Sequence, residues 1–322
     1  MRKIDTGFVC VQREHENYLM ERKGIKLWSV LLVFIGTFLV MLFVTGMLQT
    51  WVATSGLSAR AEILVGSAIQ GIMAFMIPSL VAARMESNRP FVRLGLAGKQ
   101  EFRWYAGVVI LLLLSMPAMN QIIYWNSEIH FPDAMSALES ALRSWEERAA
   151  AMTDVILEGN SAMMLISGVL VVGVLTGFAE EAFFRGGLQR ILCGHGVNAH
   201  VAIWVTAFIF SAVHFQFFGF IPRLLLGAAF GYIFLWTGSL WCAAFAHALN
   251  NSLVVISAWL QNSGLLSTDI EGIGVSGTGF PLFFAVSLLL TMVFIRYHKK
   301  FFNKKFYGSE ERTRDNRRNT QG

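Results

Sequence analysis

Residues 161–182 read SAMMLISGVLVVGVLTGFAEEA: an uncharged run that ends on two adjacent carboxylates, Glu180 and Glu181. A helix rises about 1.5 Å per residue and the hydrocarbon core of a bilayer is about 30 Å thick, so about 20 apolar residues cross it. The run has that length and lacks the period-2 alternation of a barrel strand, which makes it a transmembrane helix. Seven further stretches meet the same test, at 27–51, 62–83, 104–125, 200–221, 224–240, 241–260 and 279–295. The chain is therefore predicted to be an all-α polytopic membrane helix bundle of about eight transmembrane helices. Its composition agrees: 55% of the 322 residues are hydrophobic and 15% are charged, against about 45–50% and 25% in soluble domains. The 27 Phe and only six Pro exclude disorder and a collagen-like chain, and three scattered Cys exclude a disulfide scaffold.

Basic residues give the orientation. Of 26 Lys and Arg, 22 fall in one alternate set of loops and flanks and four in the other, with none inside a predicted span. That asymmetry predicts both termini cytoplasmic, and it accounts for the net charge of +5. Cys10 and Cys193 then face the reducing side and Cys242 lies in a span, so a disulfide is not expected. The first 26 residues contain no apolar core of a signal peptide, so no cleaved leader is expected. Lys299, Lys300, Lys304 and Lys305 alternate with aromatics and suit anionic headgroups better than nucleic acid. The long loop 126–160, predicted outside, carries an amphipathic helix from Ala134 to Leu157 that would rest on the outer leaflet.

Five regions follow: a cytoplasmic segment 1–26, N-terminal transmembrane helices with the external loop over 27–160, a polar-centred core 161–260, a last loop and span 261–295, and a basic cytoplasmic tail 296–322. No internal repeat is visible, which argues against an inverted-repeat transporter.

Ionisable groups inside spans are costly and face protein interior or water. Here they are Glu180 and Glu181 in the fourth span, His214 in the fifth and His247 in the seventh. Glu181 and Arg185 are four apart, one above the other on a helix, while Glu180 points about 100° away. One carboxylate is thus matched to an arginine and the other is left to face a cavity, where it suits a general base. Phe210 lies one turn below His214, and His247 shares a face with Asn251, an amide and an imidazole suited to stabilising an oxyanion. Glu180 and His214 together could hold and deprotonate a water, and the reaction implied is peptide-bond hydrolysis without a Ser or Cys nucleophile.

Taken singly, each feature has a plainer reading. Glu180–Glu181 alone could be an interfacial acidic pair, and His214 or Asn251 alone could be polar glue between helices. A Glu with two His could also ligate zinc, although no H-E-x-x-H occurs on one helix. Glu180 further sits near the cytoplasmic end of its predicted span while His214 is deep in the next one, so the two meet only if helices tilt or the fourth helix runs on past Gly187, as Leu188, Ile191 and Leu192 would allow.

In order, EExxxR (Glu180, Glu181, Arg185), FxxxH (Phe210, His214) and HxxxN (His247, Asn251) resemble the CPBP family. These are the type II CAAX prenyl endopeptidases and the bacteriocin-processing or self-immunity proteins, intramembrane glutamic proteases. The resemblance covers about residues 161–260. It implies Glu180 as catalytic glutamate, His214 as its partner on water, His247 and Asn251 as the oxyanion pair, and Glu181 with Arg185 in support. It implies no cofactor, with zinc as the alternative. The expected partners are a peptide or protein substrate reaching the membrane and the lipid bilayer itself, with no nucleic acid, in a multi-pass protein of the cell inner membrane. The competing expectation is a non-catalytic immunity scaffold or a proton-coupled transporter using the same buried Glu and His.

Overall fold

The computed structural model describes residues 24–97, 100–267, 275 and 282–297, and among these every regular element is helical. The N-terminal segment to residue 23, including Cys10, and the basic tail from 298 lie outside the described residues, as does most of the last loop. Six helices are long and apolar enough to cross a membrane, and two apolar helices are shorter. The long ones include α1 (Leu27–Ala53), α2 (Ala59–Glu86) and α3 (Phe102–Ser127). A helix, α4 (Ser136–Leu157), follows and has no buried residue; it coincides with the amphipathic helix predicted from Ala134 to Leu157. Next come α5 (Ala162–Gly194) and the short α6 (Ala199–Ala212). The chain closes with α7 (Phe220–Thr237), α8 (Leu240–Asn262) and the short α9 (Leu282–Tyr297).

Two boundaries differ from the sequence reading. The fourth helix does run on, to Gly194, so Glu180 sits roughly midway along it. Arg185 and Arg190, assigned to a loop by hydropathy, are thereby buried inside a helix; their heads are matched by carboxylate and carbonyl oxygens, which a hydropathy window does not see. The fifth stretch, 200–221, is not one span. Helix α6 ends at Ala212, a turn follows, and Phe217–Gly219 forms a 3₁₀ turn into α7. His214 therefore stands in a turn and not in mid-helix. Gly238, at φ 64°, ends α7 in the left-handed conformation that glycine tolerates, and α8 begins two residues later.

Helix α5 is the spine of the bundle. Its carboxylate pair lies on an α-helical stretch, Gly177–Glu181, between two π-helical stretches, Val169–Thr176 and Ala182–Gln189. Such widened turns cluster at functional sites. After the pair, Phe183 and Phe184 lock α5 to its neighbours. Phe183 stacks on Phe34 of α1 at 4.6 Å and Phe184 meets Phe210 of α6 edge-on at 5.1 Å. The opposite face of α5 is nearly bare backbone. A Cβ on Gly173 would strike Ser252 of α8, and one on Gly177 would lie 2.9 Å from the backbone nitrogen of Ala248. Small residues let membrane helices approach this closely, and that approach brings α8 against the carboxylates.

Glycine 177 is thus expected to be intolerant: Gly177→Ala should cost about 1–3 kcal/mol by overpacking, read as a lowered thermal midpoint of the detergent-solubilised protein. Gly36→Ala on α1, where a Cβ meets nothing within 4 Å, should be neutral. A second expectation concerns the start of α4. Glu139 accepts hydrogen bonds from the Phe131 amide at 2.8 Å and from Arg143 Nε at 2.9 Å. These donors, the backbone amide first, hold its carboxyl down at about 2. A depressed carboxylate contributes fully above its ordinary value of 4.5 and is lost only as pH falls toward about 2. Exchange protection of the Phe131 amide, corrected for intrinsic rate, should hold from pH 7 to 5 in the wild type and be absent in Glu139→Ala, which removes the acceptor.

Candidate active site

Four helices converge on the carboxylate pair. From α5, Glu181 and Arg185 project together and form an ion pair of 2.9 Å with both side chains at 0% exposure. Arg185 also donates to the Gly227 carbonyl of α7 at 2.7 Å, and its guanidinium lies 5.0 Å from the Phe210 ring centre. An unpaired charge at this depth would be prohibitive, whereas a paired and hydrogen-bonded one is tolerated.

Across from α5, His247 of α8 is held from three sides. Its Nδ1 lies 2.9 Å from Glu181 Oε1, and its ring stacks on Phe230 of α7 at 4.9 Å. Phe210 meets the same ring edge-on at 5.8 Å. With Nδ1 directed at Glu181, Nε2 is turned to Glu180, 3.7 Å from its Oε2. Among the described residues Glu180 has no arginine in direct contact; Arg185 and Arg223 reach it only at longer range. Glu181 thus orients the imidazole, and Glu180 shares its other nitrogen.

His214 is placed by a different device. Its Nδ1 lies 2.7 Å from the Phe210 carbonyl and its ring packs edge-on against Phe210 at 5.1 Å. A carbonyl accepts, so Nδ1 carries the proton and a neutral ring presents its lone pair at Nε2. His214 is in electrostatic reach of Glu180, Arg223 and His247. The residue after it, Phe215, has φ 55°, a left-handed conformation that a bulky side chain adopts at a cost. Asn251, one turn beyond His247, donates from Nδ2 to the Val172 carbonyl at 3.2 Å, inside the first π-helical stretch of α5. One of its two amide hydrogens is therefore engaged with the backbone and the other is left over.

The structure thus brings Glu180, Glu181, Arg185, His214 and His247 into one cluster and ties Asn251 to its rim. Sequence spacing did not find the residues that hold the His214 turn. Asn126 of α3 clamps it by donating to the Phe217 carbonyl at 3.1 Å and accepting from the Ile221 amide at 2.8 Å. Glu146 of α4 accepts from the Phe218 amide at 3.2 Å, and Arg143 lies over the Phe218 ring at 4.1 Å. Arg223 donates to Gln216 at 2.6 Å. These partners are distant in sequence, so no local pattern marks them; the only cue was the presence of Arg223 in an otherwise apolar stretch. Among the described residues no group of three His, Cys, Asp or Glu is arranged to hold a metal ion.

Comparison with known proteins gives the same segment. Residues 162–253 match the Rce1-like family, type II CAAX prenyl endopeptidase Rce1-like. The Rce1-like segment contains all six residues of the cluster and its rim, and it agrees with the CPBP resemblance of the motifs. A Bacillus subtilis (strain 168) protein, Uncharacterized protein YpbD, is 31% identical over 86 residues, which cover 26% of this chain and 41% of that one. No solved structure matches the chain. The match falls in a chain with six helices long and apolar enough to cross a membrane.

The ion pair at the base of the cluster is open to direct test. Arg185→Met leaves Glu181 buried without its cation and should destabilise the protein by about 3–5 kcal/mol. Glu181→Leu combined with Arg185→Met should recover much of that loss. Thermal unfolding followed by tryptophan fluorescence reads both; a single variant as stable as wild type would show that the pair is not buried.

Proposed function

We propose that the protein is an intramembrane endopeptidase of the cell inner membrane that hydrolyses a peptide bond with a glutamate-activated water. The observation that carries this reading is the unequal treatment of two adjacent carboxylates. Glu181 is matched directly to Arg185 and to His247 Nδ1, whereas among the described residues Glu180 makes its ion-pair contact with the far nitrogen of the same imidazole at 3.7 Å, and Arg185 and Arg223 act on it only at longer range. A carboxylate kept out of direct contact with an arginine in a protein-lined site is available to take a proton.

In this reading a water lies between the Glu180 carboxylate and His214 Nε2. Glu180 removes its proton as the oxygen attacks the scissile carbonyl, and His214 orients the water through its lone pair. The developing oxyanion is met by His247 Nε2, when that ring is protonated, and by the remaining Asn251 amide hydrogen. Glu180 then returns the proton to the leaving amine. Glu181 and Arg185 touch neither substrate nor water; they fix the ring plane of His247 and balance its charge. No cofactor enters any step, and the substrate is a peptide or protein segment that reaches the membrane, as the Rce1-like match supports.

Purified protein in nanodiscs should cleave a prenylated or hydrophobic model peptide. Glu180→Gln and His214→Ala should reduce turnover by about 10²–10⁴-fold, the usual span of general base catalysis. Asn251→Ala should cost about 10²–10³-fold, as loss of an oxyanion donor does. Turnover should be unchanged by chelators. Wild-type rates in folded Glu180→Gln and His214→Ala would overturn the assignment and favour a non-catalytic or proton-relay role, while chelator sensitivity would return zinc to the mechanism.

A further inference from the structure

A cavity of about 700 Å³ lies between α3 and α8. That volume is typical of a ligand site. One wall is the apolar face of α3, with Leu112, Met116, Met119 and Ile123 at helical spacing; Leu253 and Val254 of α8 face it. Gln261 and Asn262 mark one end and Asn250 the other, separated by some 12 residues of α8, or about 18 Å at the helical rise. The end at Gln261 is rimmed by Asp154 and Glu158 from the C-terminal turn of α4. The nearby cation, Arg60, is turned away to the carbonyls of Ile156 and Met164 and to the Ser167 hydroxyl.

Two features select an occupant. The walls are not purely apolar: Ser115, Asn250 and Ser257 line the cavity along its length. Ser115 donates to the Leu112 carbonyl and Asn250 to Asn251 Oδ1, and the oxygens of these side chains can accept from a peptide N–H, which an alkyl chain does not supply. The carboxylate rim then repels a phosphate headgroup and attracts a cation. We infer that this cavity binds a hydrophobic peptide segment, about five residues long when extended, whose basic end lies at Asp154 and Glu158. The inner end of the segment reaches Asn250, which donates to Asn251 Oδ1 at 3.4 Å. Residues 250 and 251 thus face the cavity and the carboxylate cluster from adjacent positions of one helix. Resting on the proposed peptidase reading, the cavity names the substrate class: an apolar segment with basic residues on the side facing α4.

The probe is a fluorescent peptide of six Leu and Ala residues with two Lys at one end, titrated into the full-length protein in nanodiscs. Ser257→Trp and Ser115→Trp, which fill the cavity from opposite walls, should each weaken binding at least tenfold. Asp154→Lys with Glu158→Lys, at exposed positions that do not bear on folding, should weaken it about tenfold, and a peptide with Glu in place of Lys should bind the wild type correspondingly less well. Glu180→Gln should bind as the wild type does. Unchanged binding in both Trp variants, equal binding of the Glu peptide, or displacement of the probe by a neutral lipid at lower concentration than by unlabelled peptide would overturn the inference. Binding as expected alongside wild-type cleavage by Glu180→Gln would overturn the peptidase mechanism and leave the cavity assignment standing.

Discussion

Everything at the centre of this molecule depends on how closely α5 and α8 can approach. Their contact is made through Gly173 and Gly177 against Ser252 and Ala248, where even one methyl group on α5 would meet backbone. Lipid tails are as apolar as Leu, so helices in a membrane gain little from hiding apolar surface and much from tight packing and satisfied polar groups. The glycine contact supplies the first and makes the second possible, since His247 and Asn251 are then near enough to bond with Glu181 and the Val172 carbonyl.

Around that contact, charge is arranged by subtraction. Arg185 compensates one carboxylate and is itself surrounded by the rings of Phe184, Phe210 and Phe230 and the Gly227 carbonyl. What remains is Glu180, which among the described residues has no arginine in direct contact and stands beside two imidazoles, with Arg223 in longer electrostatic reach. A comparable device holds the opposite end of the bundle, where Glu86 and Arg93 pair at 2.9 Å with both nearly inaccessible, and Arg190 donates to the Arg93 carbonyl. Arg93 donates in turn to the Arg190 carbonyl, so that cluster fastens the 84–103 loop to α5.

The helices and the key carboxylates were legible in the sequence because both follow from local rules: about 20 apolar residues for a span, and spacing by four for a shared face. Glu181–Arg185 and Phe210–His214 are contacts within or just beyond one helical turn, so they could be read directly. The length of α5 was less visible, since Arg185, Gln189 and Arg190 depress hydropathy exactly where the helix continues, and only their buried partners on α7 and in the 84–103 loop make that continuation affordable. The break of α6 at Ala212 was invisible to hydropathy: Val213, Phe215, Phe217 and Phe218 are apolar whether helical or not. The clamps that decide the matter, Asn126 and Glu146, lie some 70–95 residues away along the chain.

The shortness of α6 carries a consequence for the external segment. Fourteen residues reach about 21 Å, so the chain turns back before crossing the full thickness of hydrocarbon. Irregular backbone at such depth survives only where protein shields it from lipid. Trp145, Arg143 and Glu146 of α4 and the Phe131 ring cap the turn at Phe215–Phe218. Helix α4 is therefore fastened to that turn by its Arg143, Trp145 and Glu146. Replacing α4 would require a matching change in the turn, although more than 50 residues separate the two segments.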